Sequence, residues 1–109
     1  MCRLILSLVC GVLAACGGRD SDGARALIAG RCGACHRVPG VAGATGRVGP
    51  SLAHIGSQQI IAGFFANNPA RLTQWIEHPQ QLLPGNAMPE MGLSHAQAVA
   101  IVDYLYTMD

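Results

Sequence analysis

The chain has 109 residues, half of them apolar, with only two Phe, two Tyr and one Trp, and a formal net charge of +1. That length allows a single domain with a thin core. All of its basic residues are Arg, and no basic run or stripe occurs, which argues against a nucleic-acid partner.

The N-terminus reads as a targeting segment. Arg3 supplies a positive charge, residues 4–13 form a short apolar stretch, and Leu13, Ala14, Ala15 and Cys16 follow. The stretch is too short to span a bilayer, which takes roughly 20 residues. Small residues before a cleavage point mark a secretory leader, and a Cys directly after them resembles a bacterial lipobox. The expectation is therefore a lipoprotein signal peptide over residues 1–15, a lipid on Cys16, a lipid-anchored linker over 16–23 and the folded domain over 24–109. The linker is rich in Gly, Asp and Ser; about eight extended residues reach roughly 25–30 Å at most. Cys2 and Cys10 leave with the leader, so only Cys32 and Cys35 remain as thiols, and no odd one is left for an oxidising compartment to trap.

A first helix is predicted from near Asp22 to about Gly33, with Ala24, Leu27 and Ile28 on one face. Residues 33–55 are punctuated by Gly and Pro and read as loop. Residues 58–65 are expected to hold a helical turn or two. Asn68 followed by Pro69 is a good helix start, and that helix carries Leu72, Trp75 and Ile76 before stopping at His78 and Pro79. Residues 80–93 read as a second loop. Ser94 with Gln97 matches a capping box, and Ala98, Ile101, Val102 and Leu105 form the apolar stripe of the last helix. No strand is convincing. The expected architecture is all-α, with short helices joined by long loops.

The motif that carries chemistry is Cys32, Gly33, Ala34, Cys35 and His36. Two Cys three residues apart project from one side of a helical turn, so both sulfurs reach the two vinyl groups on one edge of a haem. The adjacent His then ligates the iron; C-x-x-C-H is the c-type haem attachment pattern. A thioredoxin-like pair would need a βαβ setting, and a zinc site would need a second pair of ligands at suitable spacing; neither context is present. A disulfide across so short a loop gives little stabilisation. For the second axial ligand the residues leave Met88, Met91, Met108, His54, His78 and His95 as candidates. Met88 has a modest lead because Pro84 and Pro89 stiffen its loop.

From about Asp22 to Met108 the chain resembles class I cytochrome c domains, most of all the small bacterial domains fused to subunit II of haem–copper oxidases. The landmarks are the haem motif, Gly49 to Leu52, residues 67–76, Pro84 to Pro89, residues 92–94, and Tyr104 with Leu105. The resemblance implies the class I cytochrome c fold around one covalently bound haem c. It implies Met88 as distal ligand, the Pro50 carbonyl as acceptor for the far nitrogen of His36, and Trp75 as donor to a haem propionate. It also implies that Ala24 and Ile28 cross the last helix near Ile101 and Tyr104. Two features depart from the pattern. The Tyr many members keep near the Met sulfur is missing, with Gln80, Gln81 or Asn86 as replacements, and no Lys ring surrounds the haem edge.

An iron held by His36 and Met88 has no open position, which suits one-electron transfer with no small-molecule substrate, and a thioether raises the potential. The expectation is a non-enzymatic electron carrier in the bacterial cell envelope. It would be tethered to a membrane and serve a membrane-bound respiratory complex, a terminal oxidase first among them. The alternatives are the electron-transfer subunit of a periplasmic dehydrogenase, and a haem-based gas sensor whose Met88 is displaced by ligand.

Overall fold

The structure, a computed structural model, describes residues 17–108. The leader over residues 1–15 and the lipidation expected at Cys16 lie outside the described residues. Helix α1 spans Gly17–Arg31. A single 3-10 turn, Ile55–Ser57, follows a long loop. Strands β1, Ile60–Ile61, and β2, Phe65–Ala66, then form a small antiparallel ribbon with Ile60 opposite Ala66 and Ile61 opposite Phe65. Helices α2, Pro69–Glu77, α3, Pro79–Leu82, and α4, His95–Tyr106, complete the order.

Helix α4 is the hub: α1, α2 and the 3-10 turn all pack on it. Its apolar stripe of Ala98, Ile101, Val102 and Leu105 is buried, facing Ala24 and Ile28 of α1 and Leu72 and Ile76 of α2 in the common core. The α1–α4 crossing is held at its rim by Arg25, whose guanidinium lies 5.5 Å from the centre of the Tyr104 ring. Val38, Val41 and Ala44 carry the core into the loop after α1. The haem-motif turn is thereby fixed between α1 and a buried loop, not left on a free end.

Local caps explain the helix starts. The Asn68 side chain accepts from the Arg71 amide at 2.8 Å, and Pro69 occupies the first helical position. The Ser94 hydroxyl accepts from the Gln97 amide at 3.1 Å while the Gln97 side chain accepts from the Ser94 amide at 2.9 Å. Asn68→Ala is expected to cost about 1 kcal/mol by leaving that amide unpaired. A urea unfolding series on wild type and variant checks it, with the midpoint falling and the slope unchanged.

Four expectations are corrected. Residues 17–23 are not an extended linker: the helix already begins at Gly17. Asp22 pairs with Arg25 at 3.6 Å within it, one local contact supporting a helix that carries Gly17, Gly18, Gly23 and Gly30. Residues 58–65 do not form helical turns. Ala62 (φ 52°) and Gly63 (φ 75°) are both left-handed, and the Phe64 amide donates to the Ile61 carbonyl at 3.1 Å. Two left-handed residues in succession give the hairpin turn that matches strand twist, so a ribbon forms where no strand was expected. Finally, residues 80–93 are not wholly loop: Pro79 ends α2 but also opens α3 at its first position.

Candidate functional site

The site begins where α1 ends. The Cys32 and Gly33 amides both donate to the Ile28 carbonyl, at 2.8 and 2.9 Å, closing the helix. The Cys35 and His36 amides then turn back onto the Cys32 carbonyl, at 3.2 and 2.9 Å. This single turn brings both Cys to one side and sets His36 directly after them. Cys32 and Cys35 form no disulfide and are both part-buried. Burial pushes the Cys32 thiol above its ordinary pKa, with Arg31 opposing the shift and Cys35 adding to it. An uncharged thioether at that sulfur avoids the cost of burying a thiolate.

His36 is oriented by the loop that follows. Its Nδ1 donates to the Pro50 carbonyl at 2.7 Å, leaving the Nε2 lone pair for a metal. Two glycines permit this. At Gly49 an added Cβ would lie 2.3 Å from His36 Cε1, so the chain passes flat against the imidazole. At Gly46 an added Cβ would lie 2.5 Å from the carbonyl carbon and oxygen of Ala34 and from the carbonyl carbon of Cys35. The Gly49 amide donates to the Cys35 carbonyl at 2.7 Å and the Gly46 amide to the Gly33 carbonyl at 3.0 Å, stitching this loop to the motif. From the sequence, Gly46 is loop punctuation and Gly49 only the first residue of a family landmark. Their spacing after the motif was the available signal, but their partners are brought close only by the fold.

Met88 lies in the loop after α3. The Met88 amide donates to Asn86 Oδ1 at 2.7 Å, and the Met88 carbonyl accepts from Gln80 Nε2 at 2.8 Å. Met88 is part-buried against the core. Asn86, one of the expected replacements for the missing Tyr, spends its side chain on backbone groups. Its Nδ2 donates to the carbonyls of Pro79, at 3.0 Å, and Leu83, at 2.8 Å, so both amide protons are spent inside the loop. Asn86 positions Met88. The Met91 carbonyl accepts from the Arg31 guanidinium, which ties this loop to the helix end that carries Cys32.

Trp75, on α2, is part-buried, with its ring 6.1 Å from that of Phe65. The remaining ligand candidates lie elsewhere. His54 is exposed. His78 sits 3.5 Å from Glu90, and His95 bonds Glu77, so both face carboxylates at the surface. Met108 packs at the end of α4 against the core.

The donor set fits a covalently held haem: two thiols on one turn, a tautomer-fixed imidazole and a thioether in a braced loop. These features define a small haem-attachment domain. The comparisons agree. The cytochrome c family matches residues 21–109, and the chain belongs to that family. It is 36% identical over 78 residues to cytochrome c oxidase subunit 2 of Alkalihalophilus pseudofirmus, covering 71% of this chain but only 22% of that protein. It is 36% identical over 90 residues to cytochrome c2 iso-2 of Magnetospirillum molischianum, covering 71% of this chain and 90% of that one. Cytochrome c2 iso-2 of Magnetospirillum fulvum is 35% identical over 92 residues, at 72% and 93% coverage.

The fold is thus that of a class I cytochrome c, and its cofactor is covalent haem c on Cys32 and Cys35. The chain is an electron carrier and not an enzyme.

Proposed function

We propose that this protein is a membrane-tethered one-electron carrier, ligating haem iron through His36 and Met88 and delivering electrons to a membrane-bound respiratory complex, a terminal oxidase first among them. The observation that carries it is the pair of braces on the two ligand residues: the Pro50 carbonyl on His36 and the Asn86 and Gln80 side chains on Met88. Haem, when bound, supplies the one-electron couple. The chain does the rest. The proton stays on His36 Nδ1, donated to the Pro50 carbonyl, fixing the imidazole in one orientation in both oxidation states. The Met88 loop holds a soft ligand that favours the reduced form. Two ligands already in place require little rearrangement when the charge changes. The same bracing disfavours a gas sensor, in which the thioether must leave readily.

The oxidase subunit among the relatives supports a respiratory partner. The tether rests on the lipobox-like Leu13 to Cys16. With a helix running from Gly17, residues 17–23 of the expected linker rise only about 10 Å, not 25, at 1.5 Å per residue. A lipid on Cys16 then holds the domain close against the bilayer of the cell envelope, where a high local concentration replaces charge-based steering. This accounts for a chain without Lys.

Cys16→Ala, expressed with its own leader, tests the tether. The wild type is expected in the membrane fraction, insoluble in high salt and released by detergent. The variant is expected in the soluble fraction with its haem intact. A variant that stays in the membrane contradicts the anchor. In membranes carrying a terminal oxidase, oxidation of the reduced wild type is expected to change little with ionic strength; a steep fall on adding salt contradicts tethered delivery.

A further inference from the structure

Residue 80 was expected to matter only as a neighbour for the Met88 sulfur. Its contacts point elsewhere. The Gln80 side chain makes three hydrogen bonds, all to backbone atoms of one loop. Nε2 donates to the Asn86 carbonyl and to the Met88 carbonyl, both at 2.8 Å, and Oε1 accepts from the Gly85 amide at 3.0 Å. Its own backbone amide donates to Glu90 Oε1 at 3.1 Å, on the far side of Met88. Gly85 is left-handed (φ 83°), so the turn that Oε1 clasps is one few side chains would adopt unaided. Every polar hydrogen and the carbonyl oxygen of the amide is used, and Gln80, itself in α3, is part-buried. Asn86 bonds the backbone of Pro79, Leu83 and Met88, whereas Gln80 reaches Gly85, Asn86 and Met88 together from α3.

We propose that Gln80 is the positioning residue for the distal ligand: it clamps residues 85–88 in the conformation that presents the Met88 thioether, and so sets how firmly that sulfur holds ferric iron. The proposal rests on Met88 being the ligand. Its chemistry is that of preorganisation. A loop already fixed loses little entropy on binding iron, whereas a loosened loop must be ordered each time the sulfur returns. Asn86 braces the Met88 amide from inside the loop; Gln80 braces the carbonyl from outside it and joins the two ends.

The test is competition by exogenous imidazole for ferric iron, followed by loss of the far-red band that a thioether gives to ferric haem. Gln80→Met keeps length and bulk but makes no hydrogen bonds, so a space-filling side chain and a clamp give different answers. Two lost donor bonds at about 0.5–1.5 kcal/mol each predict imidazole binding tighter by roughly tenfold or more. Gln80→Glu keeps the acceptor for Gly85 but turns an oxygen onto two carbonyls, and is expected to loosen the sulfur further at neutral pH. Both variants are expected to keep covalent haem and the His36 side unchanged. Wild-type imidazole affinity in Gln80→Met overturns the proposal. If the variants do not mature, hydrogen exchange on the wild-type holoprotein decides: protection of the Gly85 amide is expected, and free exchange there overturns the clamp. A wild type lacking the thioether band instead removes Met88 as ligand, a different failure.

Discussion

Replacing Met88 with alanine is expected to lower the reduction potential by roughly 200 mV, a quarter of the ~0.8 V range over which axial ligands set haem potentials. The argument is one of preference for charge. A thioether is a soft, neutral ligand that favours ferrous iron. Without it, water or a surface nitrogen takes the position and ferric iron is relatively stabilised. The same change opens a site on the reduced iron, so the variant is expected to bind carbon monoxide while the wild type does not. The fold should survive, because Met88 is only part-buried and its loop is held through Gln80 and Asn86. A redox titration with and without carbon monoxide reads both effects. Met91→Ala and Met108→Ala serve as controls and are expected to leave the potential near the wild-type value. A shift confined to Met91→Ala would transfer the ligand role within the same loop.

Gly46→Ala is expected to have the largest effect on stability of any single methyl added to this chain. The new Cβ would sit 2.5 Å from three backbone atoms of Ala34 and Cys35. No rotamer relieves a clash with main chain. The loop cannot retreat either, because the Gly46 amide is bonded to the Gly33 carbonyl at 3.0 Å. Relief must come from separating the loop from the haem-attachment turn, which also withdraws the Pro50 carbonyl from His36. Overpacking of this kind costs about 3 kcal/mol, a large part of the stability of a small domain. Poor yield of haem-loaded protein and a lower melting temperature are expected. Gly30→Ala is the matched control. It lies in α1 with nothing within 4 Å of the added methyl, so helix propensity alone acts. It should stabilise the protein by up to about 1 kcal/mol. Equal effects of the two substitutions would refute the close-approach argument.

What was legible in the sequence was local. The Cys32, Cys35 and His36 register is set by one turn of chain, and the structure adds little to it. The caps at Asn68 and Ser94 are bonds between residues three apart, so composition alone locates them. The unread parts depend on distance or on unusual backbone. The hairpin rests on Ala62 at a φ of 52°, a conformation that alanine does not advertise. Gly46 and Gly49 have meaning only once their loop lies on a turn more than ten residues earlier. Gln80 was placed near the sulfur by its position in the chain, but the backbone carbonyls it clasps exist as a cluster only when residues 85–88 are folded. The linker was misjudged because glycines argue against helix by propensity, and propensity yields to context.

Resemblance supplied the pairing of His36 with Pro50 and the choice of Met88, which residue chemistry alone had left among six candidates. The structure gives the first a bond of 2.7 Å and the second a loop braced on both sides of one residue.

The most direct test is the mass of the peptide carrying residues 32–36, isolated from the mature protein after acid–acetone treatment and proteolysis. The account predicts that this peptide alone carries the mass of one haem, with neither Cys32 nor Cys35 open to alkylation. A peptide of bare polypeptide mass, with both thiols reactive and the pigment left in the acetone, would contradict it.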